Sequence, residues 1–209
     1  QGVQALRAPA GKITGVLRLA TTPSFNTRMV PQCVATWLQH YPGMGVTVEE
    51  LAAGQISRRL AAGRIDLAVS YRPPEGSDLW FEPLYKEELR LVVAADHPLA
   101  RRRRVRMVEL HGLRMVLLTP QFATRKLLDE CFDAAGAQPL VVAQLNSVAP
   151  MIELIRLTGL AGIITAAALS EAPGLRVIPL EDPTPVRTPG LVWRKGAEQP
   201  PALKHLADI

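Results

Sequence analysis

Short apolar runs alternate with amphipathic stretches along the chain, regularly enough to assign elements in order. Val16–Ala20 is a first strand, and Thr21-Thr22-Pro23-Ser24 is a break whose hydroxyls can cap the next helix. That helix runs to about Tyr41, with Val30, Val34, Trp37, Leu38 and Tyr41 on one face and Pro31 early enough for the first turn. Tyr41-Pro42-Gly43 ends it. Val46–Val48 is a second strand, Gln55–Ala62 a helix closed by Gly63, and Ile65–Val69 a third strand. Strand, helix, strand, helix, strand predicts a βαβαβ half with parallel pairing.

After the turn Pro73-Pro74-Glu75-Gly76, Leu79–Leu84 and Glu88–Ala94 read as extended, the second placed to leave the first half. Met115–Leu118 restarts the pattern: a strand, a break at Thr119-Pro120-Gln121, a helix from Phe122 to Ala135 closed by Gly136, a strand over Leu140–Leu145 and a cap at Asn146-Ser147. A helix over Val148–Leu157 and a strand at Gly162–Ile164 complete a second half. Leu175–Ile178 and Gly190–Trp193 are further strands in a proline-rich return, and Pro200 begins a helix that the chain end cuts off. Two similar α/β halves joined by crossing strands predict a bilobed binding fold.

Such sheets bind ligands at the carboxyl ends of their strands, where helix N-termini offer free N–H groups. Both breaks there carry hydroxyls: Thr21, Thr22 and Ser24 in one half, Thr119 in the other, with Asn146-Ser147 adding an amide. Facing each other across a cleft, they would donate to a small anion or polar molecule. The plainer reading of each, taken singly, is an ordinary helix cap.

Composition narrows the function. The 209 residues are 48% hydrophobic and 21% charged, an ordinary globular mixture with a core to build, and only 5% aromatic, which disfavours an aromatic sugar or single-strand platform. The net charge of +5 is concentrated in Arg101–Arg104 and Arg106; without those five, basic and acidic residues balance. No base-reading pattern surrounds the run, so it reads as a solvated loop and the chain alone as a poor ligand for nucleic acid. Cys33 and Cys131 have no zinc spacing and fall in amphipathic helices, where a buried thiol is the default. The four histidines lack metal spacing, and there is no nucleophile elbow or glycine-rich phosphate loop. Glu49 and Glu50, adjacent on a strand, point to opposite faces and cannot act as an acid/base pair. We therefore expect no enzyme, no cofactor and no metal. The longest charge-free apolar stretch, Leu157–Ser170, is short of the roughly 20 residues a bilayer requires. The start, Gln1-Gly2-Val3, has neither an initiator Met nor a leader pattern, which reads as a piece of something longer.

Four strings, Gly15-Val16-Leu17-Arg18-Leu19-Ala20, Tyr41-Pro42-Gly43, Gly63-Arg64-Ile65-Asp66-Leu67-Ala68-Val69 and Ala95-Asp96-His97-Pro98-Leu99-Ala100, stand in an order that resembles the effector-binding domain of LysR-type transcriptional regulators. The resemblance runs from about Gly11 to the end. Leu117–Arg125 and Asn146-Ser147 further resemble the subgroup that includes the cyanate-responsive activator. The likeness implies an α/β fold of two Rossmann-like subdomains joined by crossing strands, periplasmic-binding-protein-like (type 2). Residues 1–12 would end a linker helix, residues 13–91 with 194–209 would form subdomain I, and 92–193 subdomain II.

It also implies a small-molecule or small-anion effector held between the subdomains, against Thr22, Pro23, Ser24, Phe25, Ala53, Gly54, Ser70 and Tyr71 on one wall and Thr119, Gln121, Phe122, Asn146 and Ser147 on the other. Ala53 stands where many members have a polar side chain, and Thr158–Thr165 departs from the usual Gly-Leu-Gly-Ile string, both favouring a small ligand. Effector domains of this family pair head-to-tail as dimers, and full-length tetramers meet promoter DNA through an N-terminal winged helix-turn-helix absent from this chain. The expected setting is cytoplasmic. Two alternatives share the scaffold: a periplasmic solute-binding protein, and a prephenate dehydratase-like lyase echoed faintly by Ala123-Thr124-Arg125.

Overall fold

The computed structural model describes residues 13–169 and 172–197. The linker end expected over residues 1–12 and the helix expected from Pro200 lie outside them. The chain divides into two units, one reaching Tyr85 and resuming at Pro189, the other Lys86–Thr188. The switches at 85/86 and 188/189 precede the expected ones at 91/92 and 193/194. Pairing explains this, because the whole strand Glu87–Ala94 hydrogen-bonds within the second unit and the whole strand Pro189–Arg194 within the first.

In the first unit β1 (Gly15–Thr21), β2 (Met44–Glu50) and β3 (Leu67–Tyr71) pair in parallel with β1 in the middle, as expected for βαβαβ. β4 (Leu79–Pro83) and the returning strand Pro189–Arg194 complete a five-stranded sheet, the returning strand lying antiparallel between β3 and β4. α1 (Met29–His40) and α2 (Ala53–Ala61) cover it. The buried stripe of α1 is Val30, Cys33 and Trp37, while Leu38, expected on that face, is exposed. One side of the sheet packs Leu17, Leu19, Phe25, Trp37 and Leu67, the other Ile56, Leu60, Ile65 and Val192. Each such side chain contributes roughly 1.5–3 kcal/mol on burial.

The helix expected directly after the first break is two pieces. Pro23–Phe25 form a separate 3-10 turn, and α1 starts only at Met29. Gly63, at φ 69°, closes α2 in the left-handed conformation that glycine takes without a Cβ penalty.

In the second unit β5 (Glu87–Ala94) is central, flanked antiparallel by β9 (Gly162–Thr165), β10 (Leu175–Ile178) and β12 (Val186–Arg187). Two-residue strands β6 (Val105–Arg106) and β11 (Leu180–Glu181) pair beside it. β7 (Arg114–Leu118) and β8 (Leu140–Leu145) pair in parallel, and a Met115–Ala161 bridge carries β7 to the start of β9. The order β8, β7, β9, β5 thus repeats β2, β1, β3 and the returning strand, here β13 (Pro189–Arg194). α3 (Ala123–Ala135) and α4 (Val148–Leu157) follow β7 and β8 as expected, and Gly136 closes α3 at φ 66°. Leu89, Leu91, Val93, Met107, Met115, Leu117, Leu128 and Ile163 build the core.

Candidate functional site

Two of the family strings meet, and another closes a turn, through local structural contacts. Asp66 Oδ2 accepts from the backbone N of Arg18 at 2.9 Å, and the Arg18 guanidinium reaches Asp66 Oδ1 at 2.7 Å, so one string clamps β1 through another. Burial pushes the Asp66 carboxyl up, but the hydrogen bonds and charge of Arg18 together hold it below the usual range. In Asp96-His97-Pro98-Leu99, His97 Nδ1 accepts from the Leu99 backbone N at 3.0 Å and caps the turn after β5. Burial lowers the pKa of that imidazole despite Asp96.

The predicted site residues gather at strand ends within each unit. In the first, Thr22 follows β1 and donates its backbone N–H to Val69 O at 3.2 Å. Pro23, Ser24 and Phe25 form the buried turn after it, and Phe25 packs on Tyr71 with ring centroids 5.9 Å apart. Ala53 and Gly54 open the first turn of α2, and Ser70 is buried in β3. In the second unit Thr119 follows β7 and donates its N–H to Leu145 O at 3.0 Å. Phe122 is the buried residue before α3, Gln121 and Asn146 are exposed, and Ser147 precedes α4.

Helix capping, the plain reading of the hydroxyls, does not describe what they do. Neither Thr22 nor Ser147 makes a side-chain cap, and the residue before α1 is Arg28. Thr22 is 4% exposed, and its Oγ1 is buried without a hydrogen-bond partner; Thr119 Oγ1 is buried in the same condition. Two orphaned hydroxyls therefore occupy equivalent places, one after the first strand of each half. Buried polar groups are otherwise nearly always paired, and Trp37 Nε1 and Arg90 Nε are unpartnered here as well.

Electrostatics separates the two strand-end clusters. Arg125 is committed to structure: its guanidinium donates to Leu118 O and Gln144 Oε1, each at 2.8 Å, and to Asp129 Oδ1 at 2.9 Å. Sequence reasoning missed a second arginine committed to structure in the same unit. Arg187 donates to Glu87 Oε1 at 2.5 Å and to Thr124 Oγ1, while Thr165 donates to Glu87 Oε2 at 2.9 Å. The side chains of Arg187 and Glu87 are 8% and 3% exposed, and 100 positions separate them, so no local pattern signals the pair. Glu50 was also missed as a site residue. It ends β2, accepts from Asn26 Nδ2 at 3.1 Å and keeps Oε1 buried without a partner. Its neighbour Glu49 points elsewhere, to Arg59 at 2.5 Å, as alternation on a strand requires.

The arginine run is a solvated loop, with Arg102 and Arg106 held by Glu109 and Arg104 by Glu181. Both cysteines are buried and unbonded. Burial pushes the Cys33 thiol up to about 11, and burial followed by the charge of Glu130 raises that of Cys131. Among the described residues no cluster of His, Cys, Asp and Glu could hold a metal, and no helix is long and apolar enough to cross a membrane.

Comparison with known proteins places this geometry. Residues 10–209 match the LysR substrate binding domain model. The HTH-type transcriptional regulator YybE of Bacillus subtilis is 29% identical over 93% of this chain and 65% of its own length. A hydrogen peroxide-inducible genes activator of Haemophilus influenzae is 28% identical over 89% of the chain and 63% of its own. The chain thus spans less than two thirds of each. Among solved structures, the regulatory domain of CcmR from Synechocystis in complex with 2-PG superposes with a TM-score of 0.82 at 21% identity, covering 93% of this chain and 97% of that one. The effector-binding domain of QuiR in complex with shikimate gives 0.76 at 23% identity, covering 93% and 94%. The fold is the mixed α/β, periplasmic-binding-protein type 2-like fold of these domains. A solute-binding protein and a lyase are set aside by this match. The chain belongs to the LysR substrate binding domain family, the effector-binding regulatory domain of LysR-type transcriptional regulators.

Proposed function

We propose that the domain senses a small polar metabolite or anion at the strand ends bearing Thr22 and Thr119, and that occupancy controls transcription by the full-length protein. The observation that carries this is the pair of buried, unpartnered hydroxyls at equivalent breaks. Pro23, Ser24, Phe25, Ala53, Gly54, Ser70 and Tyr71 would be the binding residues of the first unit, and Gln121, Phe122, Asn146 and Ser147 those of the second. That the CcmR and QuiR domains are bound to 2-PG and shikimate supports an organic acid of that size. DNA contact would belong to a helix-turn-helix segment outside this chain, with the domain acting as a dimer inside a cytoplasmic tetramer.

The narrower likeness to the cyanate-responsive subgroup rests on Leu117–Arg125 and Asn146-Ser147, and makes cyanate one arm of the test. Relatives named for hydrogen peroxide raise thiol oxidation as a second reading. The cysteines speak against it here: the thiolate is the reactive form, and burial raises both thiols. A thermal-shift screen of cyanate, 2-PG, shikimate and other small acids decides. A true effector at 100 times its Kd stabilises the domain by about 2.7 kcal/mol. Stabilisation that survives substitution of both Thr22 and Thr119 would place the ligand elsewhere.

A further inference from the structure

Resting on that reading, we propose that Glu50 is a specificity residue, and that the effector carries a hydrogen-bond donor, a hydroxyl or an ammonium group, besides its acidic function. Glu50 is the last residue of β2 and lies beside Thr21 in the parallel register, one residue before Thr22. The Leu51 backbone N donates to Thr21 O at 2.9 Å and fixes that neighbourhood. Asn26, from the turn after Pro23–Phe25, donates to Glu50 Oε2 at 3.1 Å and so orients the carboxylate. Oε1 is left buried and unpartnered, as is Oγ1 of Thr22, a side chain more than nine-tenths buried.

A carboxylate offers only acceptor lone pairs at neutral pH, whereas a threonine hydroxyl can give or take. A bare anion arriving here meets an acceptor it cannot satisfy and a like charge; a donor meets its complement. Burying an unpaired acceptor is costly, and a bond between a charged acceptor and a ligand donor is among the stronger neutralisers of that cost. Glu50 thus discriminates against inorganic anions and plain carboxylates in favour of hydroxy or amino acids. A site built to bond a hydroxyl or amine rejects analogues lacking it far better than an apolar pocket rejects a missing methylene.

The test is a binding series on the intact domain with three matched sets: propanoate, lactate and alanine; butanoate, 3-hydroxybutanoate and 3-aminobutanoate; cyclohexanecarboxylate, quinate and 4-aminocyclohexanecarboxylate; sulfate and phosphate serve as the inorganic arm. The proposal expects at least one hydroxy or amino member to bind more tightly than its plain partner, and Glu50→Gln to weaken that member about tenfold or more. The melting temperature of unliganded Glu50→Gln should hold or rise, which separates lost binding from lost folding. Tightest binding by a plain or inorganic member, equal binding by Glu50→Gln, or no stabilisation by any probe overturns the proposal. Ligands that respond to Thr119→Val but not to Glu50→Gln leave the effector reading standing and this inference fallen. Ligands indifferent to both sink the two together.

Discussion

At the carboxyl end of β1, Glu50 and Thr22 keep buried oxygens unpaired, whereas at the ends of β7 and β9 the guanidinium groups of Arg125 and Arg187 are committed to protein partners. The halves share a strand order and each leaves one threonine hydroxyl unpartnered after its matching strand, but the first adds an unpartnered carboxylate oxygen there and the second ties arginines to its strand ends. The sheet of the first unit explains the difference. Five continuous strands and two apolar layers hold it, and at its rim Asn26 engages one oxygen of Glu50 and leaves the other unpartnered. In the second unit β7 reaches β9 through a single bridge, while Arg125 staples α3 to β7 and β8, and Arg187 staples β12 to β5 and α3.

Breaking the staples is the severest test of that contrast. Arg187→Ala strands the Glu87 carboxylate in the interior and should cost about 3–5 kcal/mol of unfolding free energy, read from urea denaturation. A loss below about 1 kcal/mol would mean the pair is not what holds the second unit. Arg125→Met removes bonds to Leu118 O, Gln144 and Asp129. The expected loss is about 1.5–3 kcal/mol, the range for hydrogen bonds to a charged group.

A smaller effect separates the first unit's clamp from the second unit's staple. Arg18 and Asp66 are about half and one third exposed, so their pair is screened and Arg18→Met should cost less than about 1 kcal/mol. The sign with pH is fixed. The folded carboxyl of Asp66 sits below its ordinary value, so the stabilisation is present above about pH 4 and is lost as pH falls through the folded value. Wild type and Arg18→Met should therefore converge in acid and differ at neutral pH; a gap that widens in acid would contradict the assignment. The smallest effect belongs to the orphans. Thr22→Val and Thr119→Val remove hydroxyls with nothing to lose, so the unliganded melting temperature should hold or rise slightly. A drop of several degrees would show that these hydroxyls serve the fold.

Much of this architecture was legible from periodicity. Gly63 and Gly136 close the helices that their positions predict, and the βαβ order survives in both halves. What stayed hidden was nonlocal. Glu87 and Arg187 meet only because β12 folds back on β5, and Glu88–Ala94 reads the same whichever sheet receives it. The first break misled for a local reason: Pro23 sets up a 3-10 turn, and Asn26 closes it by donating to Pro23 O, so α1 must restart at Met29. The strings that disclosed the family sit at structural points such as Arg18–Asp66 and the His97 turn, which is why they named the fold without naming the ligand. Glu50 was visible as half of a carboxylate pair, but only Asn26 and the buried Oε1 distinguish it from Glu49.

On this reading the orphaned hydroxyls are ligand groups. Isothermal titration of the tightest acid from the thermal-shift screen into wild type, Thr22→Val and Thr119→Val tests it most directly. Each substitution should weaken binding by about 1 kcal/mol, roughly fivefold, with folding intact. Unchanged affinity in both variants would contradict it.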